Sequence, residues 1–324
     1  MSTRSDVATG TQSTEFDARR AFVRYGLIVL LVILAIVFAR LRPSFVSASN
    51  ISDQLRSASI SAVMFLGLTW IMAAGEIDAS FMSIAALSNM IVAGMVTAGY
   101  GWPVAAFAGL VTGLVAGGAN GFLVAYLGFP GLVTTIATGS FAAAMAAAIG
   151  LGGSLSLPTA GFVGNFLALK VGVVPVVSIG VVLLYAGAWF AQEKLTFGHY
   201  VYALEQNRKA VTEAGISAER LLILLFCLSG FFSGIAGILL AADLSSGQPY
   251  IGSSYFLDGF TATLLGGMVI KLGKPNVIGT IIGVLFLAVL LSGAALLGWN
   301  DAQRQVIKGC LLLFGVAAVI WARR

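Results

Sequence analysis

Residues 73–81 read AAGEIDASF. Two carboxylates, Glu76 and Asp78, stand between one apolar run that ends near residue 75 and another that begins near residue 79. Acids placed in this way admit four readings: a proton or ion relay, a metal site, an acid/base pair of the glycosidase kind, or the punctuation of a turn. Composition narrows the choice. The 324 residues are 59% hydrophobic and only 10% charged, and 40 of them are Gly. Soluble domains carry about 25% charged residues, so this chain has too few to clothe a water-facing surface. It is an integral membrane protein. Its apolar runs are continuous rather than alternating, which makes the spans helices and not barrel strands.

A span needs about 20 apolar residues. The runs at 25–41, 57–75, 79–98, 102–127, 130–150, 171–191, 221–242, 257–271, 276–298 and 302–322 are read as spans, the eighth being short and open to being broken or partly re-entrant. The expectation is therefore an all-α membrane protein of about ten transmembrane helices. A polar tail covers 1–24, a single polytopic domain covers 25–324, and one long charged loop occupies 192–220. Asp6, Glu15 and Asp17 make that tail a poor start for a cleaved signal peptide, so the first span is expected to be retained.

With the tail in the cytoplasm, twelve of the 18 Lys and Arg fall inside, including Lys194, Arg208, Lys209, Arg220, Lys271 and Lys274. Arg40, Arg42, Arg56, Lys170, Arg304 and Lys308 are left outside or at the outer interface. The excess favours both termini inside, and an even number of spans agrees. These flanking cations account for the net charge of +5 without a nucleic-acid partner. Cys227 and Cys310 sit in apolar runs, as buried thiols do, and with His199 as the single histidine a histidine-rich metal site is excluded.

Small residues recur at four-residue spacing: Gly113, Gly117 and Gly121, then Gly230 and Gly234, then Gly279 and Gly283. Such stripes let helices approach closely. They serve packing, or they provide surfaces that slide. Asn120, Thr134, Thr135 and Thr138 are polar positions in the fourth and fifth spans; they either bond across helices or line a passage.

The loop LTFGHYVYALEQNRKAVTEAGISAER, residues 195–220, concentrates charge between two spans. Ala203 to Ala214 suits a short helix with Ala210, Val211 and Ala214 on one side. Gly215 stands where a helix ends in a left-handed residue. The loop is either a solvated connection or a helix that docks into another protein. Thr196, Phe197, Gly198, Tyr200, Tyr202, Ala203, Asn207, Ala210, Gly215 and Ile216 resemble the pattern of permease subunits of ribose-type sugar ABC importers, from which His199, Glu205 and Gln206 depart. Further matches follow in consistent order: Asn120-Gly121, the segment SSGQP at 245–249, Leu257-Asp258, Gly266-Gly267, and Gln305 to Gly309.

The resemblance implies a type II ABC-importer-like permease in a bacterial inner (cytoplasmic) membrane, moving a pentose, hexose or related polyol by ATP-driven alternating access. It implies that Tyr202, Asn207, Arg208, Ala210, Glu213 and Gly215 belong to a helix that couples to ABC ATPase subunits. It also implies that Ser246, Gln248 and Tyr250 receive a sugar-loaded periplasmic or extracellular binding protein, and that a second permease, identical or related, completes the path. ATP and magnesium would sit on the ATPase, with no cofactor and no enzymatic chemistry on this chain. The stretch GGMVIKLGKPN, 266–276, agrees: its glycine spacing is one residue too long for a phosphate loop, and Pro275 replaces the magnesium-binding hydroxyl.

The opening stretch resembles a turn of the same family through Gly75, Ile77, Asp78 and Ser80. Asp78 is then expected to cap a helix starting at Ala79, with Glu76 a turn residue facing water or protein. A metal site lacks ligands and a glycosidase pair lacks a soluble cleft. The rival is a secondary transporter coupling solute to an ion through Glu76, Asp78 or Asp258.

Overall fold

The computed structural model describes residues 8–323; Arg4, Asp6 and Arg324, used in the charge reading, lie outside them. Among the described residues there are twelve α-helices: α1 Ala8–Leu41, α2 Ala48–Ala73, α3 Phe81–Thr97, α4 Trp102–Ala125, α5 Gly131–Ile149, α6 Gly161–Ala168, α7 Val176–Lys194, α8 Thr196–Glu213, α9 Ala218–Asp243, α10 Phe256–Gly266, α11 Val277–Leu296 and α12 Asp301–Arg323. Each expected span coincides with one of these, and α6 and α8 are additional. The count of ten spans is not met by length and composition, because seven helices qualify, those of α1 (from Arg24), α2, α4, α5, α7, α9 and α11. Three helices fall short: α3, with 17 residues, and α10, with 11, are shorter than a usual span of about 20, and α12 is long enough but carries Asp301, Arg304 and Lys308 in its first half.

Local signals set the helix starts. Ser47 accepts from the Asn50 amide at the head of α2, Ser217 from Arg220 at α9, and Asn276 from Gly279 at α11. Each side chain satisfies an amide that the first turn leaves without a partner. α9 is the centre of the bundle, with Leu222, Leu225 and Phe226 buried and α2, α3 and α4 packed round it. The glycine stripes serve packing. A Cβ on Gly113 would run into the Gly230 carbonyl, and one on Gly230 into the Gly113 carbonyl, so α4 and α9 meet backbone to backbone. Gly266 and Gly279 make the same kind of contact between α10 and α11. By contrast, Val29, Val32, Ile33 and Ile36 on α1 and Leu132, Val133 and Phe141 on α5 point away from the bundle, as lipid- or partner-facing residues do.

The loops gather at two ends. At one, Gly75 packs on Glu205 of α8, Arg208 donates to the Ala125 carbonyl (3.3 Å), and Lys274 pairs with Glu205 (3.5 Å). At the other, Leu155–Ser156 pairs antiparallel with Ser246–Gly247, Trp102 Nε1 donates to the Thr159 carbonyl (3.2 Å), and Arg56 Nε meets Asp243 (2.6 Å). Arg56, read from sequence as an outer-interface charge, therefore also ties the head of α2 to the tail of α9.

The α4–α9 contact predicts a contrast. Gly113→Ala should lower the thermal stability of the detergent-solubilised protein by about 1–3 kcal/mol, the usual cost of overpacking. Gly187→Ala, where a Cβ meets open space, should be neutral or stabilising. Thermal unfolding monitored by size-exclusion chromatography reads both.

Candidate functional site: a cavity at mid-depth beside two broken helices

After α2 ends at Ala73 the chain does not turn at once into α3. Gly75 takes a left-handed φ of +83°, and residues 76–80 then run back into the bundle without helical structure before α3 begins at Phe81. Their depth follows from their neighbours. Asp78 bonds to Ser229, the twelfth of 26 residues in α9, and Ser80 packs on Gly139, the ninth of 19 in α5. Asp78 and Ser80 therefore lie near the middle of the bundle, not at a span boundary as the sequence suggested. The hydropathy pattern misses this because a short extended run between two apolar stretches looks the same at any depth.

Non-helical backbone inside a membrane must find its hydrogen bonds within the protein. Asp78, 1% exposed, is the hub of that arrangement. Its Oδ1 accepts from the Ser80 amide (2.8 Å) and the Ser80 hydroxyl (2.6 Å), and its Oδ2 accepts from the Ser229 hydroxyl (2.7 Å). Asn120 Nδ2 on α4 donates to Ser80 Oγ (2.7 Å), and the Ala79 amide donates to Thr135 Oγ1 on α5 (2.9 Å). The expected cap at Ala79 is thus corrected. The helix starts at Phe81 rather than Ala79, and Asp78 serves the Ser80 and Phe81 amides at its head while holding the segment ahead of it to another helix. Glu76 is half-buried, with its carboxylate against Gly131 at the start of α5. Burial raises its carboxyl above the ordinary value, and the Arg208 guanidinium pulls the other way.

A second interruption faces the first. Residues 249–255 descend from the opposite end until Gly252 lies on the Met82 carbonyl and Gly259, in α10, on the Phe81 ring. Between them lies a cavity of about 400 Å³. The first turns of α3 contribute Met82, Ser83 and Ala86, α5 contributes Ile136, Gly139, Ser140 and Ala143, and the descending segment contributes Tyr250, Ser253 and Phe256. No ionisable carboxylate or ammonium lines it, and its size suits a small solute. The weakly polar lining can orient such a solute without holding it tightly. Discontinuous helices that begin beside a cavity near mid-depth are the arrangement membrane transporters use for substrate.

Several expected site residues stand elsewhere. Thr134 and Thr138 bond to carbonyls of their own helix, at Pro130 and Thr134, while Thr135 and Asn120 hold the 76–80 segment one layer behind the cavity wall. The reading of them as bonds across helices holds for Asn120 and Thr135. Ser246 and Gln248 are tied to the buried Asn89, whose Nδ2 donates to the Ser246 carbonyl (3.3 Å) and whose Oδ1 accepts from the Gln248 amide (2.7 Å); of the outer-loop trio only Tyr250 is exposed. Asp258 of the ion-coupling rival is paired with Lys308 on α12 (2.7 Å), so its charge is compensated. Ser83, Ser140 and Ser253 were missed; their one sequence signal is a small hydroxyl inside an apolar run.

The 192–220 loop is a seated helix rather than a solvated connection. Phe197 meets Trp70 edge-on (5.4 Å), Lys271 pairs with Glu193 (2.7 Å), and Gln192 accepts from the Val277 amide (2.8 Å). Tyr202 is turned inward and donates to the Pro275 carbonyl (3.0 Å); burial, then the Glu193 carboxylate, pushes its phenol above the ordinary value and keeps it a donor. α8 breaks at Asn207, whose φ of −160° and ψ of 94° are not helical and whose Oδ1 caps the Ala210 amide (3.0 Å). Gly215 has the left-handed φ of +82° expected of it. Val211 points inward, correcting the apolar side drawn from Ala210, Val211 and Ala214. The outward face is Gln206, Asn207, Lys209, Ala210 and Glu213.

Comparison with known proteins identifies the family. Residues 50–316 match the family model described as branched-chain amino acid transport system / permease component. The chain is 34% identical over 296 residues to ribose import permease protein RbsC of Bacillus subtilis, covering 90% of this chain and 89% of that one. It is 30% identical over 323 residues to L-arabinose transport system permease protein AraH of Escherichia coli, covering 100% and 97%. A solved chain described as an inward-facing ABC transporter of metal-chelate type shares the fold, with a TM-score of 0.52 at 14% identity over 92% of this chain and 98% of that one. The chain belongs to this family of ABC-transporter permeases, the family that includes the ribose import permeases.

The Asp78 hub yields a graded expectation. Ser229→Ala removes one hydrogen bond to a carboxylate and should cost about 1.5–3 kcal/mol. Asp78→Ala should cost more, because it strands Ser80, Ser229 and the extended backbone together. Thermal unfolding in detergent gives the order, and a silent Asp78→Ala would remove Asp78 from its place as hub.

Proposed function

We propose that the chain is the permease subunit of a binding-protein-dependent ABC importer that carries a monosaccharide or related polyol across a bacterial inner membrane by ATP-driven alternating access. The observation that carries this is the uncharged mid-depth cavity between the two helix interruptions. It is sized for a small neutral solute, and relatives across most of the chain are named for ribose and L-arabinose. α3, the 249–266 segment and α12 complete ten crossings with the seven longer helices, and both termini lie in the cytoplasm. The cavity opens beside the apolar outward face of α5, where a second permease, identical or related, closes the path. The end carrying Tyr250 receives the solute-binding protein.

Energy enters at the other end. Asn207, Lys209, Ala210 and Glu213 present the docking face of α8 to ATPase subunits, which hold the ATP and magnesium. Tyr202, Arg208 and Gly215 fix the helix from behind. Nucleotide binding shifts the balance between inward- and outward-open states through differential contact with α8. One observation favours a second reading: Asp78 is an intramembrane carboxylate, a usual station for ion coupling. Its bound donors and its role in holding backbone favour a structural carboxylate.

Reconstituted vesicles with the cognate ATPase and binding protein separate the two. Uptake should require ATP and ignore a protonophore; uptake abolished by the protonophore alone would establish the ion-coupled reading. Ala210→Trp should cut ATP-dependent uptake about tenfold, the effect of a docking contact weakened by about 1.4 kcal/mol, with insertion intact. A cysteine at Gln206 should label only from the cytoplasmic side and one at Tyr250 only from outside.

A further inference from the structure

A second cavity, of about 420 Å³, lies on the other side of the 251–258 segment from the first. It runs from Asp53 near the head of α2 to Phe65, the eighteenth of the 26 residues in that helix, so it reaches from the outer end to mid-depth. At its deep end Lys308, 7% exposed, pairs with Asp258. At its mouth Asp53 pairs with Arg56 (3.0 Å). The buried charges at the deep end are therefore matched to each other, while Asp53 at the mouth shares Arg56 with Asp243 and is open to water, so the depth of the cavity leaves no net charge for an ionic ligand to answer.

Asn50 and Ser292 in its lining bond to each other (3.2 Å), but four further neutral polar groups are not matched. Gln54, Ser57, Ser61 and Ser254 line the cavity, and their side chains form no hydrogen bond within the described residues. Acyl chains cannot serve these groups, and polar side chains at membrane depth facing hydrocarbon are costly. A carboxamide and three hydroxyls offer donors and acceptors in both senses, the set that complements alternating hydroxyls. Phe65 and Tyr255 add aromatic rings to the wall, against which the C–H face of a polyol packs.

We propose that this cavity is a binding site for a small uncharged polyol in the sugar size range, separate from the passage between α3 and α5. The inference rests on the geometry of the second cavity alone and stands whether or not the transported solute is the same compound. The segment 251–258 forms its wall on one side and the wall of the passage on the other, so an occupant braces the descending segment from behind.

The test uses the full-length protein in lipid nanodiscs with Cys227 and Cys310 replaced by alanine and Ser57→Cys introduced. The rate of reaction with a charged maleimide is read with D-ribose, L-arabinose, D-glucose, ribitol or sodium chloride present. At least one polyol at about 10 mM should slow labelling about threefold, the protection a site with a Kd of about 5 mM gives, while salt has no effect. Adding Gln54→Ala and Ser61→Ala should abolish that protection. Adding Ser83→Leu, which fills the other cavity, should leave it intact even where uptake is lost, so a failed transport assignment and a failed second site read differently. Protection by none of the polyols would overturn the proposal. So would protection that Ser83→Leu removes, or a rate that responds only to exchange of phosphatidylethanolamine for phosphatidylglycerol, which would mark a lipid headgroup site.

Discussion

A membrane interior supplies no hydrogen bonds to a backbone that leaves the α-helix, and this structure leaves it twice, once into the extended run 76–80 and once into a 3-10 turn at Ile251–Tyr255. The first departure, residues 76–80, is sustained by the Asp78 carboxylate and by Asn120, Thr135 and Ser229 reaching in from three helices. The second, residues 249–255, is held by Asn89 above, through its bonds at Ser246 and Gln248, and by the backbone of α3, against which Gly252 fits. Everything that resembles a pathway follows from these two departures. Without them α3 and α10 would be continuous spans, and the space between Ser83, Ser140 and Ser253 would be filled by side chains.

The bundle that tolerates the departures is rigid elsewhere for a plain reason. Where α4 meets α9 and α10 meets α11, backbone touches backbone through paired glycines, leaving no side chain to adjust. Interhelical dispersion grows with such closeness, and the interruptions sit at its margins. The seated α8 touches this frame through Trp70–Phe197, Gly75–Glu205 and Lys274–Glu205, and Lys271–Glu193 secures the end of α7 just before it. Gly75 is the last residue before the extended segment, so α8 presses on the chain that leads directly to the cavity wall.

How much of this was legible in the sequence depends on the range of the signal. Helix positions were readable, since each rests on a local run of apolar residues, and so was the left-handed end at Gly215. The helix α8 was visible as a cluster of charge, although its break at Asn207 was not, because asparagine there reads equally well as an ordinary helical surface residue. Depth was invisible. Nothing in AAGEIDASF distinguishes a turn at the membrane surface from a thread at its middle; Ser229 lies 151 residues away and settles the matter only once the chain is folded. Lys271 and Lys274 looked like markers of orientation and prove to be partners of Glu193 and Glu205, a pairing no spacing rule reveals.

The Asp258–Lys308 pair also constrains how the protein is made. A helix of 11 residues is a poor candidate for insertion on its own, and Asp258 in its first turn adds a charge that the bilayer disfavours. Asp258 emerges from the ribosome fifty residues before the lysine that neutralises it. Until α12 is made, Asp258 lacks the lysine that neutralises it in the folded protein, so the short α10 reaches its matched environment only late in synthesis.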